Sequence, residues 1–237
     1  MEVKPILIND GKIHPAFIIV PGGGYNHLSN HEGDNVAERL NEYGISCFVR
    51  KYDFMFPKSL QDIKRAVRLV RYNAEKYNID PDRVGVMGFS AGAHLAGLCA
   101  EHFDRFEEEP AEPCDRLSAR PDMCCLCYPV VTLSKPWGHM GSRITLNGRD
   151  DLGEVLSLEN SVRKDMPPVF VWHTFEDKSV PYENSVELAK AVNSVGAECE
   201  LHIFPKGRHG SDLAENIPGT KNWVSLFIDF LERHEFL

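Results

Sequence analysis

The segment Gly88-Phe89-Ser90-Ala91-Gly92 is the part of this sequence best placed to do chemistry. Residues 83–89 read as a short apolar strand, and residues 91–96, rich in Ala and Leu, read as the start of a helix. A G-x-S-x-G segment between a strand and a helix forces its serine into a strained turn, with the hydroxyl standing above the sheet. Gly88 and Gly92 are small because two backbones approach there and a Cβ would clash. The helix start offers unpaired N–H groups and a positive dipole end to a developing oxyanion. Such a serine attacks a carbonyl carbon. Alone, the same residues would also suit a glycine-rich turn at a helix start. The rest of the chain must therefore supply a base, an acid and a second oxyanion donor.

A serine hydroxyl is a weak nucleophile without a base in hydrogen-bond reach, and imidazole suits that task near neutral pH. Of ten histidines, His209 has the fitting context, in the glycine-flanked run Lys206-Gly207-Arg208-His209-Gly210 after a strand pattern. His94, one turn into the serine helix, points along the helix flank and reads as a packing or hydrogen-bonding residue. His173 ends a strand and could stand behind the site. His27 and His31 follow a glycine loop and could line a pocket. A carboxylate must then fix the tautomer of the base. Asp177 lies in a loop after a strand, with Glu176 as a neighbouring rival, and Asp177 could equally cap the helix that follows. The chain order Ser90, Asp177, His209 is that of α/β-hydrolases and differs from the orders of other serine hydrolases.

These residues need a scaffold that brings them to one place. Residues 16–20 form a continuous apolar run, as in a strand buried on both faces of a parallel sheet. The run ends in Pro21-Gly22-Gly23-Gly24-Tyr25, where bare backbone can aim N–H groups at a ligand. Further strands are expected over 5–8, 45–50, 123–128, 169–172 and 198–204. Helices are expected over 34–42, 59–77, 182–195 and 222–234. The alternation implies an α/β fold: a mostly parallel, twisted sheet with helices on both faces. Ligands bind at the carboxyl ends of such strands. Gly22–Gly24, Ser90, Asp177 and His209 would all face that edge. Residues 129–165, with Trp137, Gly138, Gly141 and Asn147-Gly148, are too long for a simple crossover and suggest a small cap or extended connection.

The 237 residues, 43% hydrophobic and 26% charged, suffice for one sizeable core and one domain over 1–237. A net charge of −9 with no basic stripe argues against nucleic acid and anionic membrane as partners. The opening Met1-Glu2-Val3-Lys4-Pro5 lacks the basic and apolar regions of a signal peptide, and no apolar run is long enough to span a bilayer, so a cytoplasmic location is expected. Seven cysteines show no zinc-site spacing. Cys124, Cys125 and Cys127 cluster in a strand pattern where only Cys125 and Cys127 share a face, and no metal is expected.

In several segments the chain resembles α/β-hydrolases of the esterase/lipase group, and more closely the small carbohydrate acetyl-esterases related to acetylxylan esterases. The segments are Pro21-Gly22-Gly23-Gly24-Tyr25, His31-Glu32-Gly33, Ile79-Asp80-Pro81-Asp82-Arg83, Gly88–Leu95, Tyr128-Pro129-Val130, Asp165-Met166-Pro167-Pro168, His173 with Asp177 and Val180-Pro181, and Leu201–Phe204 with Gly207 and His209-Gly210. They cover nearly the whole chain in order. Ala93 stands where those relatives usually carry a second glycine. The resemblance implies a three-layer α/β-hydrolase fold and a cofactor-free serine esterase. Ser90 would be the nucleophile, His209 the general base and then acid, and Asp177 the orienting carboxylate. Ala91 and either Gly23 or Gly24 would supply the oxyanion N–H groups. It also implies short acyl esters of sugar hydroxyls, acetylated xylo-oligosaccharides first, as substrates. Tyr25, His27, Trp137 and His173 are candidate pocket residues, and Trp172 could also stack on a sugar. The rival readings are a general short-chain carboxylesterase, an aryl-formamide hydrolase, a peptidase of the prolyl-oligopeptidase type and a non-catalytic binding module.

Overall fold

The computed structural model describes residues 3–147 and 152–237. Met1-Glu2 and the Gly148 half of the Asn147-Gly148 pair lie outside the described residues. Seven strands form one sheet: β1 (Val3–Ile6), β2 (His14–Val20), β3 (Ser46–Arg50), β4 (Ile79–Phe89), β5 (Cys124–Cys127), β6 (Val169–Thr174) and β7 (Cys199–Phe204). Their spatial order is β1-β3-β2-β4-β5-β6-β7, with β1 antiparallel on the edge and every other pairing parallel. The helices are α1 (Asp34–Asn41), α2 (Lys58–Tyr72), α3 (Ala74–Tyr77), α4 (Ala91–Glu101), α5 (Met140–Asn147), α6 (Glu183–Ser194) and α7 (Trp223–Arg233).

Period-two alternation builds the three layers. Along β2, Ala16, Ile18 and Val20 face the core shared with α2, α4 and α6, while Phe17 and Ile19 face the core shared with α1 and α7. In β6, Val169 and Val171 go with the first core, Phe170 and Trp172 with the second. Both faces are thus apolar, which explains the unbroken hydrophobic runs. Cys125 and Cys127 share one core, their sulfurs 4.0 Å apart, while Cys124 enters the other. The sheet therefore divides this thiol cluster.

The expected first strand over 5–8 is displaced to Val3–Ile6, where it pairs Val3 with Arg50 through Ile6 with Cys47. The expected helix over 59–77 breaks at Asn73, whose backbone leaves the helical conformation at φ −102° and ψ 21° while its side-chain amide joins its own N–H on Leu69 O, at 2.8 and 3.1 Å. β4 already begins at Ile79, and its ladder with β2 is irregular between His14 and Ala16.

The described residues of 129–165 pack against the serine helix. Leu146, Leu156 and Leu158 are buried in the same core as the α4 side chains. Leu158 fits over Gly97, where an added Cβ would lie 2.6 Å from Leu158 Cδ1. Ser157 Oγ accepts Leu133 N–H at 2.8 Å and donates to Gly153 O at 2.6 Å, which ties the segment to itself.

Candidate active site

Ser90 links β4 to α4 with φ 54° and ψ −117°, a left-handed conformation that costs an L-residue about 1–3 kcal/mol. Close packing enforces it. A Cβ on Gly88 would meet Gly92 O at 2.2 Å, and one on Gly92 would meet Val20 O at 2.2 Å. Ser90 N–H donates to Cys127 O at 3.0 Å, and Ser90 O accepts from His94 N at 3.1 Å. The turn is held on both sides, so the hydroxyl direction is fixed.

Three loops at the carboxyl edge converge on that hydroxyl. Ser90 Oγ lies 2.7 Å from His209 Nε2, and His209 Nδ1 lies 2.6 Å from Asp177 Oδ2. Asp177 Oδ1 accepts the N–H groups of Ser179 and Val180, each at 2.9 Å. Buried His173 stands behind the carboxylate, its Nε2 3.2 Å from Asp177 Oδ2 and 2.9 Å from Val180 O, with Nδ1 held 2.8 Å from Ser185 Oγ. Burial by itself would raise the Asp177 carboxyl. The hydrogen bonds from His173 and His209, the His209 charge and the Val180 N–H outweigh it and hold the group well below the ordinary carboxylate range. The rival Glu176 is exposed and turns away to Lys206 Nζ at 2.6 Å and Gly207 N–H at 3.1 Å. The His209 loop is anchored by Thr174 Oγ1, which donates to Gly207 O at 2.7 Å.

Ala91 is the first residue of α4, where N–H groups lack intrahelical acceptors. Across from it, the glycine loop divides its donors. Gly22 N–H is taken by Glu32 Oε2 at 2.8 Å, whereas among the described residues neither Gly23 N–H nor Gly24 N–H has an acceptor. The three glycines are therefore not equivalent: the N–H groups of Gly23 and Gly24 stay unpaired while that of Gly22 is taken.

Of the pocket residues expected from the sequence, two are displaced by burial. Tyr25 is fully buried, donating its hydroxyl to His94 Nδ1 at 2.7 Å and packing edge-on against Tyr52, so no sugar can stack on it. His173 is likewise buried behind Asp177 and reaches no pocket. Trp172 stacks on Trp223 in the core at 5.1 Å and is equally closed to ligand. His27 is exposed at the end of the glycine loop. Trp137 is half-buried beneath Lys135 Nζ, 5.3 Å from the ring centre.

Two residues with no role assigned from sequence join the site. Glu32 is buried and connects the loops on either side of Ser90. Its Oε2 holds Gly22, and its Oε1 accepts the Tyr128 hydroxyl at 2.6 Å. Tyr128 in turn packs its ring edge-on against His209 at 5.1 Å and accepts Asp212 N–H at 3.0 Å. One carboxylate thus ties the glycine loop to the ring that packs against His209. In Glu32→Gln one of the two donors would confront an amide N–H, leaving buried polar groups unpaired. The expected result is a fall in kcat/KM of about 10-fold to 100-fold for an acetate ester, carried in kcat, with Tyr128→Phe falling less. Steady-state kinetics on variants with native circular dichroism check this.

His94 ties together the serine helix, the glycine loop and the 129–165 segment. It accepts from Tyr25 at Nδ1 and donates from Nε2 to Leu156 O at 2.7 Å. Burial lowers this imidazole from 6.5 to about 4, the Leu156 bond opposing. The unfolded chain, with an ordinary imidazole, binds more protons between those two values. The stability that neutral His94 contributes is thus fully present above about pH 6.5 and lost as the pH falls toward 4, ~3 kcal/mol in all. Urea midpoints should drop over that interval, and drop less in His94→Gln.

Comparison with known proteins places this geometry in context. Residues 8–192 match the BD-FAE family. The endo-1,4-beta-xylanase B of Butyrivibrio fibrisolvens is 39% identical over 220 residues, 89% of this chain and 34% of that protein. The acetylxylan esterase of Xylanibacter ruminicola is 35% identical over 209 residues, 82% of this chain and 40% of that protein. The chain spans 34% and 40% of the length of these two curated relatives. Among solved structures, the acetyl ester-xyloside bifunctional hydrolase of Caldicellulosiruptor lactoaceticus superposes with a TM-score of 0.94 at 44% identity, covering 99% of this chain and 88% of that one.

Proposed function

The chain belongs to the BD-FAE family, and from that premise we propose that it is a serine esterase removing acetyl groups from acetylated sugars, xylo-oligosaccharides first. The observation that carries the reading is the 44% identity over 99% of the chain to a hydrolase of acetyl esters and xylosides, joined to the hydrogen-bonded row Ser90, His209, Asp177.

In this reading His209 Nε2 takes the Ser90 proton as Oγ attacks the ester carbonyl. The oxyanion is received by the N–H of Ala91 and one from Gly23 or Gly24, each donor contributing about 3 kcal/mol to transition-state stabilisation. Asp177 keeps His209 in the tautomer with its proton on Nδ1 and stabilises the imidazolium. The tetrahedral adduct collapses, the alcohol leaves with the proton from Nε2, and Ser90 holds the acetyl group. Water gives its proton to His209 and attacks the acyl carbon; His209 then returns the proton to Ser90 Oγ as the adduct collapses and acetate leaves. Residues 1–237 act as one hydrolase domain with 129–165 as a small cap over the alcohol side. Among the described residues no helix is long and apolar enough to cross a membrane. Seven free cysteines, six of them buried, support a reducing compartment, the cytoplasm.

A substrate panel tests this. Acetylated xylo-oligosaccharides should release acetate with a kcat/KM above that for the corresponding butyrate esters. A dipeptide amide should be cleaved far more slowly. Release of no acetate from the sugars while simple aryl esters turn over would leave a general carboxylesterase, a reading favoured by the 28% identity to the mycobacterial esterase LipQ over 87% of the chain.

A further inference from the structure

His139 sits on the 129–165 segment, beside the glycine loop. A Cβ on Gly24 would lie 3.8 Å from its Cε1. Its ring is half-buried, so one edge stays open. Nδ1 accepts Ser142 N–H at 3.1 Å and lies 2.8 Å from Ser142 Oγ. A backbone N–H can only donate, so Nδ1 carries no proton and Nε2 must carry one. Among the described residues Nε2 has no hydrogen-bond partner. The tautomer is therefore set by the chain itself, and it leaves a single oriented N–H donor unused. Burial, reinforced by the His209 charge and opposed by that of Asp177, holds this imidazole below its ordinary value, which keeps it neutral.

Its place relative to the reaction selects a role. The general acid delivers its proton to the leaving oxygen, so the alcohol half of an ester must lie on the His209 side of Ser90. His139 stands against Gly24 at the rim of the site, within electrostatic reach of both His209 and Asp177, where a group of the departing alcohol can meet it. Trp137, two residues earlier, places an aromatic face on the same segment.

We infer that His139 Nε2–H donates a hydrogen bond to a hydroxyl of the departing alcohol next to the cleaved ester, and so selects polyhydroxylated alcohols over plain ones. This rests on the esterase reading above and specifies its alcohol side. A site built to bond a hydroxyl rejects an analogue lacking it, because a partly buried donor is then left unpaired.

The test uses a methyl xyloside monoacetate and its analogue with hydrogen in place of the hydroxyl adjacent to the ester. The measured quantity is the ratio of the two kcat/KM values. Wild type should favour the hydroxylated ester about 10-fold. His139→Asn can keep an acceptor for Ser142 N–H but withdraws the Nε2 donor, and should bring the ratio near one. His139→Gln restores a donor at the Nε2 position and should recover most of the preference. A ratio unchanged in His139→Asn, or no preference in wild type while both sugars are cleaved, overturns the role of His139 alone. Turnover of aryl acetates with neither sugar cleaved overturns the substrate reading, and this inference with it.

Discussion

Replacing Ser90 by Ala is expected to lower kcat for an acetate ester by about 10,000-fold to 1,000,000-fold, with the protein still folded. The size follows from what is lost. No other hydroxyl stands in the left-handed turn between β4 and α4, 2.7 Å from an imidazole. The fold should survive because the turn is held by backbone bonds, Ser90 N–H to Cys127 O and His94 N–H to Ser90 O, which alanine retains. Alanine also tolerates φ 54° no worse than serine does. A residual rate above that of water is expected from the oxyanion donors and binding alone. The comparison is a kcat measurement on matched preparations, with thermal melting to verify the fold.

The second large effect is Asp177→Asn, for which kcat/KM should fall about 1,000-fold to 10,000-fold. The hydrogen bonds show why. Oδ1 accepts two backbone N–H groups, from Ser179 and Val180, so the amide oxygen of Asn is drawn to that side. The amide NH2 must then face His209 Nδ1. It forces Nδ1 to accept and moves the imidazole proton to Nε2, where it blocks acceptance of the Ser90 proton. The same NH2 opposes the His173 N–H that points at Oδ2. Glu176→Gln should change the rate by less than about 3-fold, since Glu176 bonds only to Lys206 and Gly207 at the surface. A reversed pattern, with Glu176→Gln inactive and Asp177→Asn intact, would reassign the carboxylate.

The strands and the serine turn were legible because burial on both sheet faces writes itself as apolar runs and close backbone contact writes itself as glycine. Residues 16–20 and 169–172 are such runs, and Gly88 and Gly92 such glycines. Ser90, Asp177 and His209 were legible because each follows a strand, and parallel strands end on one edge. Tyr25 misled because residue type carries no direction: its ring is buried and its hydroxyl reaches His94. Glu32 and Tyr128 stand 96 positions apart, and nothing in their local patterns shows that they meet. His139 was hidden differently. It lies in the segment of weakest periodicity, and its importance comes from which nitrogen carries the proton, a property of the contact with Ser142. The break at Asn73 escaped periodicity because the apolar stripe continues through it while the Asn73 backbone, at φ −102° and ψ 21°, leaves the helical conformation.

In the proposed reaction everything depends on Ser90 being a nucleophile activated by His209. The most direct measurement is reaction with a fluorophosphonate followed by peptide mass mapping. An activated Oγ forms a bond to phosphorus as fluoride leaves. One adduct per chain is expected, on the peptide carrying Ser90, formed rapidly and absent from Ser90→Ala. An unlabelled wild type, or an adduct on another serine, would contradict it.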